Sequence, residues 1–376
     1  MTSGEEASGA PSKVRSDRLR ALVVGSGYRA RNAFLPALRC LDSHVDIVGI
    51  HSRTVAHARS AAEQWGTEVV DNLQSLRPGD VDIVLVSVTV TNNVSVLRAA
   101  AHLAPGAALV IDTPGLGRVG DLWRMALFRR WAQVRVAEDF MNLPQFRLMG
   151  KLIEEGVLGD INKVQMSQVG YRYHALALVR SWLGFQAPSF VRSRRAPAGG
   201  VDIEYRFARG AIGEVLEPYE QAVGTIVAQG TRATVGGHPM GYDIDDAGPP
   251  DAKRAQLPCG RLARMEDATG LVGFEVVGLG EPIETRVPTL ARLRSMGLED
   301  DSEFNLLRVD GLCQVISSLW EPDPVNSRYR LEDAMADLLV SSAARRIGWL
   351  PAPHTAKRNV VDLVNTVIGR VGPAAA

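Results

Sequence analysis

Glycines and small polar side chains stand at the ends of the apolar runs in the first third of the chain. The stretch GSGYRA places Gly25, Gly27 and Ala30 in a G-x-G-x-x-A spacing, directly after the apolar run 19–24. In this spacing the first glycine allows a tight turn, the second lets the backbone approach a pyrophosphate, and the small third residue packs the following helix on the strand. The stretch therefore predicts either a dinucleotide-binding turn or a packing turn alone. In the first case the candidate cofactor-binding residues are Gly25, Ser26, Gly27, Tyr28 and Arg29, at the start of a helix whose backbone N–H groups face the phosphates.

The end of the second apolar run, 45–51, should discriminate between the two dinucleotides. An acidic residue at this point would bind the ribose 2′-hydroxyl of NAD. The chain instead reads Ser52-Arg53-Thr54, and a guanidinium with two hydroxyls suits a 2′-phosphate. We therefore expect NADP(H) as the cofactor, with NAD(H) disfavoured. In the alternative interpretation Arg53 is a solvated loop residue and Thr54 only caps the next helix.

Two further polar segments follow apolar runs. Thr89 and Asn92 follow the run 81–88 and could contact ribose and nicotinamide, although Asn92 could equally be a helix cap. Asp112, Thr113 and Pro114 follow the run 108–111, at the carboxyl end of a predicted parallel strand, where open α/β sheets bind their ligands. We expect Asp112 to orient neighbouring groups or to contact the nicotinamide ribose.

The spacing of apolar residues divides the chain into two parts, which have different patterns. Up to about residue 140, short continuous apolar strands alternate with helical patterns, which is typical of a doubly wound parallel sheet covered on both faces. Beyond it lie a helix near 144–156, a long strand candidate over 161–173, and alternating segments over 187–290 that suit an antiparallel sheet. A Pro- and Gly-rich loop over 238–258 and helices over 303–318 and 331–347 complete the pattern. The predicted strands of the first part are 19–24, 45–51, 68–70, 81–88, 108–112 and 134–138, with helices near 31–41, 55–65, 92–103 and 119–131.

The predicted fold class is thus α/β, with a Rossmann sheet followed by an α+β domain that has a large, open, mostly antiparallel sheet. We expect a disordered tail at 1–18, a dinucleotide-binding domain at 19–140, a substrate and oligomerisation domain at 141–330, and a closing helix with a tail at 331–376.

Composition excludes several classes of partner. The 376-residue chain has 42 Lys and Arg against 42 Asp and Glu, a formal net charge of +0. Nucleic acids and anionic membranes would require a concentrated basic face. The three cysteines are widely spaced, which gives neither a metal signature nor a disulfide framework. No apolar run is long enough for a membrane span, and no signal peptide is visible, so we expect a cytoplasmic protein without a bound metal.

Several of these stretches, in this order, resemble the glucose-fructose oxidoreductase, inositol dehydrogenase and rhizopine catabolism (Gfo/Idh/MocA) family. GSGYRA resembles its glycine-rich turn, HSRT its ribose site and VSVTVTNNVSVLRAA its fourth strand and helix. Asp112-Thr113-Pro114 resembles its Glu-Lys-Pro tripeptide, AEDFMNLPQFRLMGKLIEEGVLGDI its domain-crossing helix, and LEDAMADLLVSSAARRIG its closing helix, which usually returns to the nucleotide domain. The resemblance implies hydride transfer between nicotinamide and a carbon that bears a hydroxyl, a carbonyl or an imine nitrogen. It also implies homodimers or homotetramers that assemble through the C-terminal sheet.

The family's proton-handling pair is the tripeptide Lys and a His on a helix of the second domain. His174 matches that His, but Thr113 replaces the Lys and Ala177 replaces an Asp that usually follows. A Thr hydroxyl cannot act as a general base unaided. Proton transfer has therefore moved to another residue, or the substrate needs none, or redox activity has been lost.

His174 is the leading acid or base, because imidazole titrates near neutral pH. The alternative is a histidine at a helix start that only satisfies the backbone. Tyr171 and Tyr173 precede it on a predicted strand, so only one should share its face, and we take Tyr171 and Thr113 as further candidates. Glu138 and Asp139 are expected to be supporting residues. Substrate contacts could come from Arg172, Arg180, Tyr205 and Arg206.

Two functions remain open from the sequence. The first is an NADP(H)-dependent reductase of a ketone or imine on a small polar, sugar-like or biosynthetic substrate, or the oxidation of the corresponding alcohol. The second is a non-redox member of the family, either a nucleotide-binding regulatory subunit or a lyase-type enzyme.

Overall fold

The computed structural model of the chain describes residues 18–117, 119–197, 199–220, 222–243, 257–298 and 302–347. The predicted N-terminal tail lies outside these residues except for Arg18. Most of the predicted 238–258 loop and the tail after residue 347 lie outside them as well.

Five parallel strands form the sheet of the N-terminal domain, in the order β2-β1-β3-β4-β5. The central strand residues Leu22, Val23 and Leu85 are fully buried, because helices cover both faces of the sheet. This arrangement confirms the predicted doubly wound class. The strands are β1 Leu19–Val24, β2 Val45–His51, β3 Ile83–Val86, β4 Ala108–Asp112 and β5 Gln133–Ala137.

The predicted strand 68–70 was wrong, and only an isolated bridge between Ile50 and Val69 is present. The segment is too short for more, since the flanking Glu68 and Val70 already bond both backbone groups of Ile50. The predicted helix over 119–131 is a 3-10 helix, Val119–Arg130. The helices of this domain are a π-helical turn Ala30–Phe34, then α1 Leu35–Cys40, α2 Val55–Trp65 and α3 Asn93–Ala99.

Nine strands form the sheet of the second domain, in the order β14-β13-β12-β11-β10-β6-β9-β8-β7. Only β6 with β9 and β11 with β12 pair in parallel, so the sheet is mostly antiparallel, as predicted. One face is apolar, while the other carries charge, for example the ion pair of Lys163 with Glu214 at 2.9 Å. Assembly through this face stays a prediction. The strands are β6 Ile161–Ser167, β7 Pro188–Arg195, β8 Val201–Phe207, β9 Ile212–Leu216, β10 Thr225–Gly230, β11 Thr234–Gly237, β12 Cys259–Asp267, β13 Gly270–Val277 and β14 Ile283–Arg286.

The predicted long strand over 161–173 was wrong at its end. β6 stops at Ser167, where Gln168 takes the left-handed backbone conformation with φ of 60°. Its amide donates to the Leu216 carbonyl at 2.8 Å, so the chain leaves the sheet and turns into helix α5, Arg172–Trp182. Tyr171 is the N-cap residue of that helix and Tyr173 lies in its first turn. The two tyrosines therefore do not alternate along a strand.

The remaining helices join the domains and cover the second sheet. Helix α5 packs mainly against the closing helix α9, which also contacts β7, β8 and the Rossmann strand β5. Helix α7 packs on α1 and β5, so it belongs spatially to the nucleotide domain. These helices are α4 Pro144–Glu154, α6 Pro288–Ser295, α7 Glu303–Ser317, α8 Pro324–Arg328 and α9 Leu331–Ile347.

Candidate active site

A cavity of about 430 Å³ lies at the carboxyl ends of strands β1 to β4. Eleven of the thirteen predicted cofactor-binding residues line it, whereas Thr113 and Pro114 do not. The carboxyl edge of a parallel sheet is where such folds bind nucleotides. The eleven are Gly25, Ser26, Gly27, Tyr28, Arg29, Ser52, Arg53, Thr54, Thr89, Asn92 and Asp112.

The two glycines of the turn shape this cavity in different ways. Gly25 has a φ of 122°, and a Cβ atom there would lie 1.9 Å from the Ser87 carbonyl oxygen. A Cβ atom on Gly27 would meet no atom within 4 Å, so the backbone faces open space at this point. The turn therefore requires glycine at the first position and offers room for a pyrophosphate at the second, which fits a dinucleotide.

The far end of the cavity is lined by a guanidinium and two hydroxyls. Arg53 is exposed there and forms no hydrogen bond or ion pair with the described residues. Ser52 and Thr54 flank it, and Thr54 is the N-cap residue of α2 without a side-chain capping bond. Among the described residues, Asp112 is the one carboxylate that lines the cavity, and it lies at the opposite end, after β4.

A chain of alternating charges lies beneath the nucleotide turn. Arg29 binds Asp112 through Nε at 2.6 Å and Asp139 through Nη1 at 3.0 Å. Arg308 of helix α7 binds the same Asp139 oxygen at 2.9 Å. Although burial opposes ionisation, the two guanidiniums hold the pKa of Asp139 well below its usual range. The guanidinium of Arg29 is thus committed to the domain interior, and its contribution to a nucleotide would come from the backbone.

A second hydrogen-bonded cluster brings the predicted catalytic residues together beside this chain. The Nδ1 atom of His174 lies 2.7 and 2.9 Å from the two carboxylate oxygens of Glu138. The Thr113 hydroxyl donates to Glu138 Oε2 at 3.0 Å. Glu138 is fully buried, and the Tyr173 ring lies beside that of His174, with centroids 4.2 Å apart. Burial raises the pKa of Tyr173, and the Glu138 charge raises it further, so this phenol stays protonated.

Tyr171 lies outside that hydrogen-bonded cluster. Its ring stacks near His174, with centroids 6.1 Å apart, and it is 40% exposed. Tyr219, also exposed, meets its edge at 5.6 Å. Of the two tyrosines that precede His174, Tyr173 therefore shares the polar cluster and Tyr171 lies at its open rim.

Other predicted substrate contacts lie elsewhere. Arg180 and Tyr205 are buried in the second domain, and Arg206 lies on the charged face of its sheet beside Glu204. The side chain of Arg172 is not among those described. None of the three described side chains lines the cofactor cavity.

Sequence reasoning missed the central role of Glu138, which it treated only as supporting, and it missed Arg308 altogether. The signal for Glu138 was an acidic residue directly after a buried strand, at the edge where ligands bind. Arg308 gave no signal, because its neighbours in the site are more than 160 residues away in the chain.

Comparisons with known proteins agree with this geometry. Residues 19–140 match the family model described as oxidoreductase family, NAD-binding Rossmann fold (GFO_IDH_MocA). Over 161 residues the chain is 27% identical to a dTDP-3,4-didehydro-2,6-dideoxy-alpha-D-glucose 3-reductase of Actinomadura kijaniata. That match covers 41% of this chain and 46% of the relative, so it spans about half of the curated protein.

Solved structures show the same two-domain fold. KijD10, a 3-ketoreductase from Actinomadura kijaniata in complex with TDP-benzene and NADP, matches with a TM-score of 0.54 and 18% identity. The match covers 88% of this chain and 98% of that one. GenD2 from gentamicin A biosynthesis, in complex with NAD, matches with a TM-score of 0.59 and 17% identity, over 91% and 98% of the two chains.

Fold and site together define a dinucleotide-binding protein of two domains. Residues 19–140 match the Rossmann-domain model of the Gfo/Idh/MocA oxidoreductase family, and the two-domain fold of the chain is that of the solved structures named above. No described helix is long and apolar enough to span a bilayer, and no cluster of potential metal ligands occurs within the described residues.

Proposed function

We propose that this protein is an NADP(H)-dependent reductase that acts on a ketone or imine of a small polar, sugar-like substrate. The observation that carries the proposal is the placement of His174. Helix α5 of the second domain brings its imidazole against Glu138, next to the Asp112-Thr113 end of the cofactor cleft. A proton carrier thus lies beside the edge of the sheet where the reactive end of a dinucleotide is expected.

The preference for NADP(H) rests on the far end of the cleft. Arg53, Ser52 and Thr54 offer a guanidinium and two hydroxyls, and among the described residues no carboxylate lines this end of the cavity to bind a ribose 2′-hydroxyl or repel a phosphate. The related structures were obtained with NADP in one case and NAD in another, so the residues of this chain decide the preference.

The residues divide the reaction between them as follows. When bound, a reduced nicotinamide would be the source of the hydride, that is two electrons and one proton nucleus, that the carbonyl carbon accepts. His174 Nε2 supplies the proton to the carbonyl oxygen, and the product is an alcohol. The imidazole then recovers a proton from solvent. For an imine, nitrogen takes the place of oxygen, and a protonated imine accepts hydride without a strong acid beside it.

A keto-sugar is the substrate class that the relatives favour. The curated relative is by name a 3-reductase of a didehydro-dideoxy-glucose bound to dTDP. The exposed Tyr171 and Tyr219 at the rim beside His174 offer ring faces to a sugar. We infer a role in the biosynthesis of a modified sugar.

The experiment measures the dissociation constants of NADPH and NADH by calorimetry for the wild-type protein, Arg53→Ala and Arg59→Ala. Arg59 is a matched control, because it is exposed on α2 but does not line the cavity. We expect Arg53→Ala to weaken NADPH by roughly 10- to 100-fold, the value of a charge-assisted phosphate contact, with NADH unchanged. Arg59→Ala should change neither constant. Equal wild-type affinities for the two cofactors would refute the 2′-phosphate assignment.

A second function is favoured by one observation, the neutral Thr113 at the position of the family's Lys. A non-redox protein that binds the nucleotide, as a regulatory subunit or a lyase-type enzyme, would need no Lys. Absorbance at 340 nm distinguishes the two functions. A wild-type protein that binds NADPH but leaves it unoxidised with keto-sugars and imines would establish the non-redox alternative.

A further inference from the structure

The carboxylate of Glu138 lies at a point where the chain is held from several sides. It directly follows β5 and is fully buried. Its backbone carbonyl accepts a hydrogen bond from Asn142 Nδ2 at 2.9 Å, and Asn142 in turn bonds with Asn326 near the closing helices. A carboxylate on so constrained a backbone can fix the orientation of whatever it binds.

The contacts of Glu138 determine where His174 carries its proton. An ionised carboxylate only accepts hydrogen bonds, so the Nδ1 atom that lies 2.7 Å from it must be the protonated nitrogen. The Nε2 atom makes no hydrogen bond to a described residue, and the side chain keeps 16% of its surface exposed. The ring is thus oriented from one nitrogen and left available at the other.

Thr113 affects Glu138 in two ways, through its hydroxyl and through the absence of a charge on its side chain. It donates to Glu138 Oε2 at 3.0 Å. A Lys at this position would bring an ammonium against the same buried carboxylate. With Thr, His174 is the one basic side chain that the structure shows bonded to Glu138 among the described residues.

We propose that Glu138 is a positioning residue, which holds the proton on His174 Nδ1 and aims Nε2 at the substrate, and that Thr113 holds Glu138 without competing for its charge. This inference rests on the proposed reductase function. In the forward reaction His174 starts with protons on both nitrogens, and the Nε2 proton moves to the substrate oxygen as that oxygen gains its electron pair. The Nδ1 proton stays on the ring against Glu138, and solvent returns one proton to Nε2.

The test that needs no substrate is NMR of protein labelled with ¹⁵N-histidine. The chain has seven histidines, and His174→Asn identifies the resonance of His174 by its loss. In the wild-type protein, the neutral ring should show the Nδ1-protonated pattern. Glu138→Gln keeps the shape but removes the charge, and it should shift this ring to a mixture with the Nε2-protonated form. A wild-type ring protonated at Nε2, or an unchanged pattern in Glu138→Gln, would overturn the proposal.

The kinetic test uses NADPH and any keto-sugar that the wild-type protein reduces. Glu138→Gln should lower kcat by about 100-fold, within the range of general acid catalysis, with KM for substrate and affinity for NADPH unchanged. Thr113→Val should lower kcat by about 10-fold, whereas Thr113→Ser, which keeps the hydroxyl, should lie within about 2-fold of the wild type. A loss in Thr113→Ser with none in Thr113→Val would mean that the methyl group packs and the hydroxyl is irrelevant.

Folding and function failures are separable in this design. Thermal unfolding of each variant identifies misfolded protein, and the Thr113 pair still tests the cluster if Glu138→Gln does not fold. If the wild-type protein reduces no carbonyl or imine, the reductase function fails, while the NMR pattern still decides whether Glu138 sets the tautomer of His174.

Discussion

Two arginines, Arg29 and Arg180, are each held by two aspartates, yet their surroundings differ. Arg180 binds Asp333 at 2.6 Å and Asp337 at 2.7 Å, and only 4% of its side chain is exposed. Tyr329 completes that cluster by donating to Asp337 at 3.2 Å. Arg29, in contrast, is 20% exposed, and its charge chain continues to Arg308 and to the wall of the cofactor cavity.

The difference assigns a separate role to each cluster. Arg180 and His174 lie on the same helix, six residues and therefore about 9 Å apart along its axis. The Arg180 cluster fixes α5 against α9. It therefore determines where the other end of α5 places His174 relative to Glu138. The Arg29 cluster has one guanidinium, Arg29, and one carboxylate, Asp112, on the wall of a cavity that a ligand can enter, so the interactions of these two charges can change when a ligand binds.

The largest expected effect is the loss of stability in Arg180→Met. Removing one partner of a buried ion pair leaves uncompensated carboxylates, which costs about 3–5 kcal/mol in the free energy of unfolding. Arg29→Met should cost less, at most about 2 kcal/mol, because Asp139 keeps Arg308 and the cavity admits water to Asp112. Urea unfolding of both variants checks the comparison. An Arg29→Met protein that loses as much stability as Arg180→Met would show that the two clusters are equivalent.

Asp310 extends the comparison to a third buried carboxyl group. Among the described residues, no guanidinium forms an ion pair with it. It lies two residues beyond Arg308 on α7, and burial raises its pKa to about 6, with a bond from Thr289 and the charge of Arg147 opposing the shift. The folded state therefore holds a proton that the unfolded state has released between about pH 4 and pH 6. Stability is fully present below that window and falls as pH rises through it.

The variant Asp310→Asn removes this titration while keeping the shape. Two units of pKa shift correspond to about 3 kcal/mol, so the variant should be more stable than the wild type by about that amount at pH 8 and by about half as much at pH 5. Urea unfolding at the two pH values measures the difference. A gap that stays constant between pH 5 and pH 8 would contradict the assignment.

The parts of the molecule differ in how well the sequence alone predicted them. The lining of the cavity at the carboxyl ends of β1 to β4 was predictable, because its parts are continuous stretches such as 25–29 and 51–54, each at the end of an apolar run. Their positions follow from one rule, that parallel strands bring their carboxyl ends to one edge. The doubly wound sheet and the mostly antiparallel second sheet followed from the same periodicities.

The proton-handling cluster was only half predictable for a physical reason. His174 and Thr113 were found through resemblance, but Glu138 joins them through contacts across 25 and 36 residues of chain. No local pattern records such a contact. The strand predicted through Tyr173 failed similarly, because the turn at Gln168 depends on a bond to Leu216 in a strand more than forty residues later.

The smallest expected effect concerns α7, the helix that links the Arg29 cluster to the cavity. Ser302 caps α7 by accepting from the Asn305 amide at 3.3 Å, and Asn305 reaches the Tyr28 hydroxyl at the same distance. Ser302→Ala should cost about 1 kcal/mol, and hydrogen exchange should become faster over residues 303–308. The segment 172–182, fixed by Arg180, should exchange as in the wild type. Ser302→Asp, which keeps a capping oxygen and adds favourable charge at a helix N-terminus, should restore slow exchange. If it does not, the fraying comes from lost packing of the serine, and the capping bond contributes nothing to the order of the cleft.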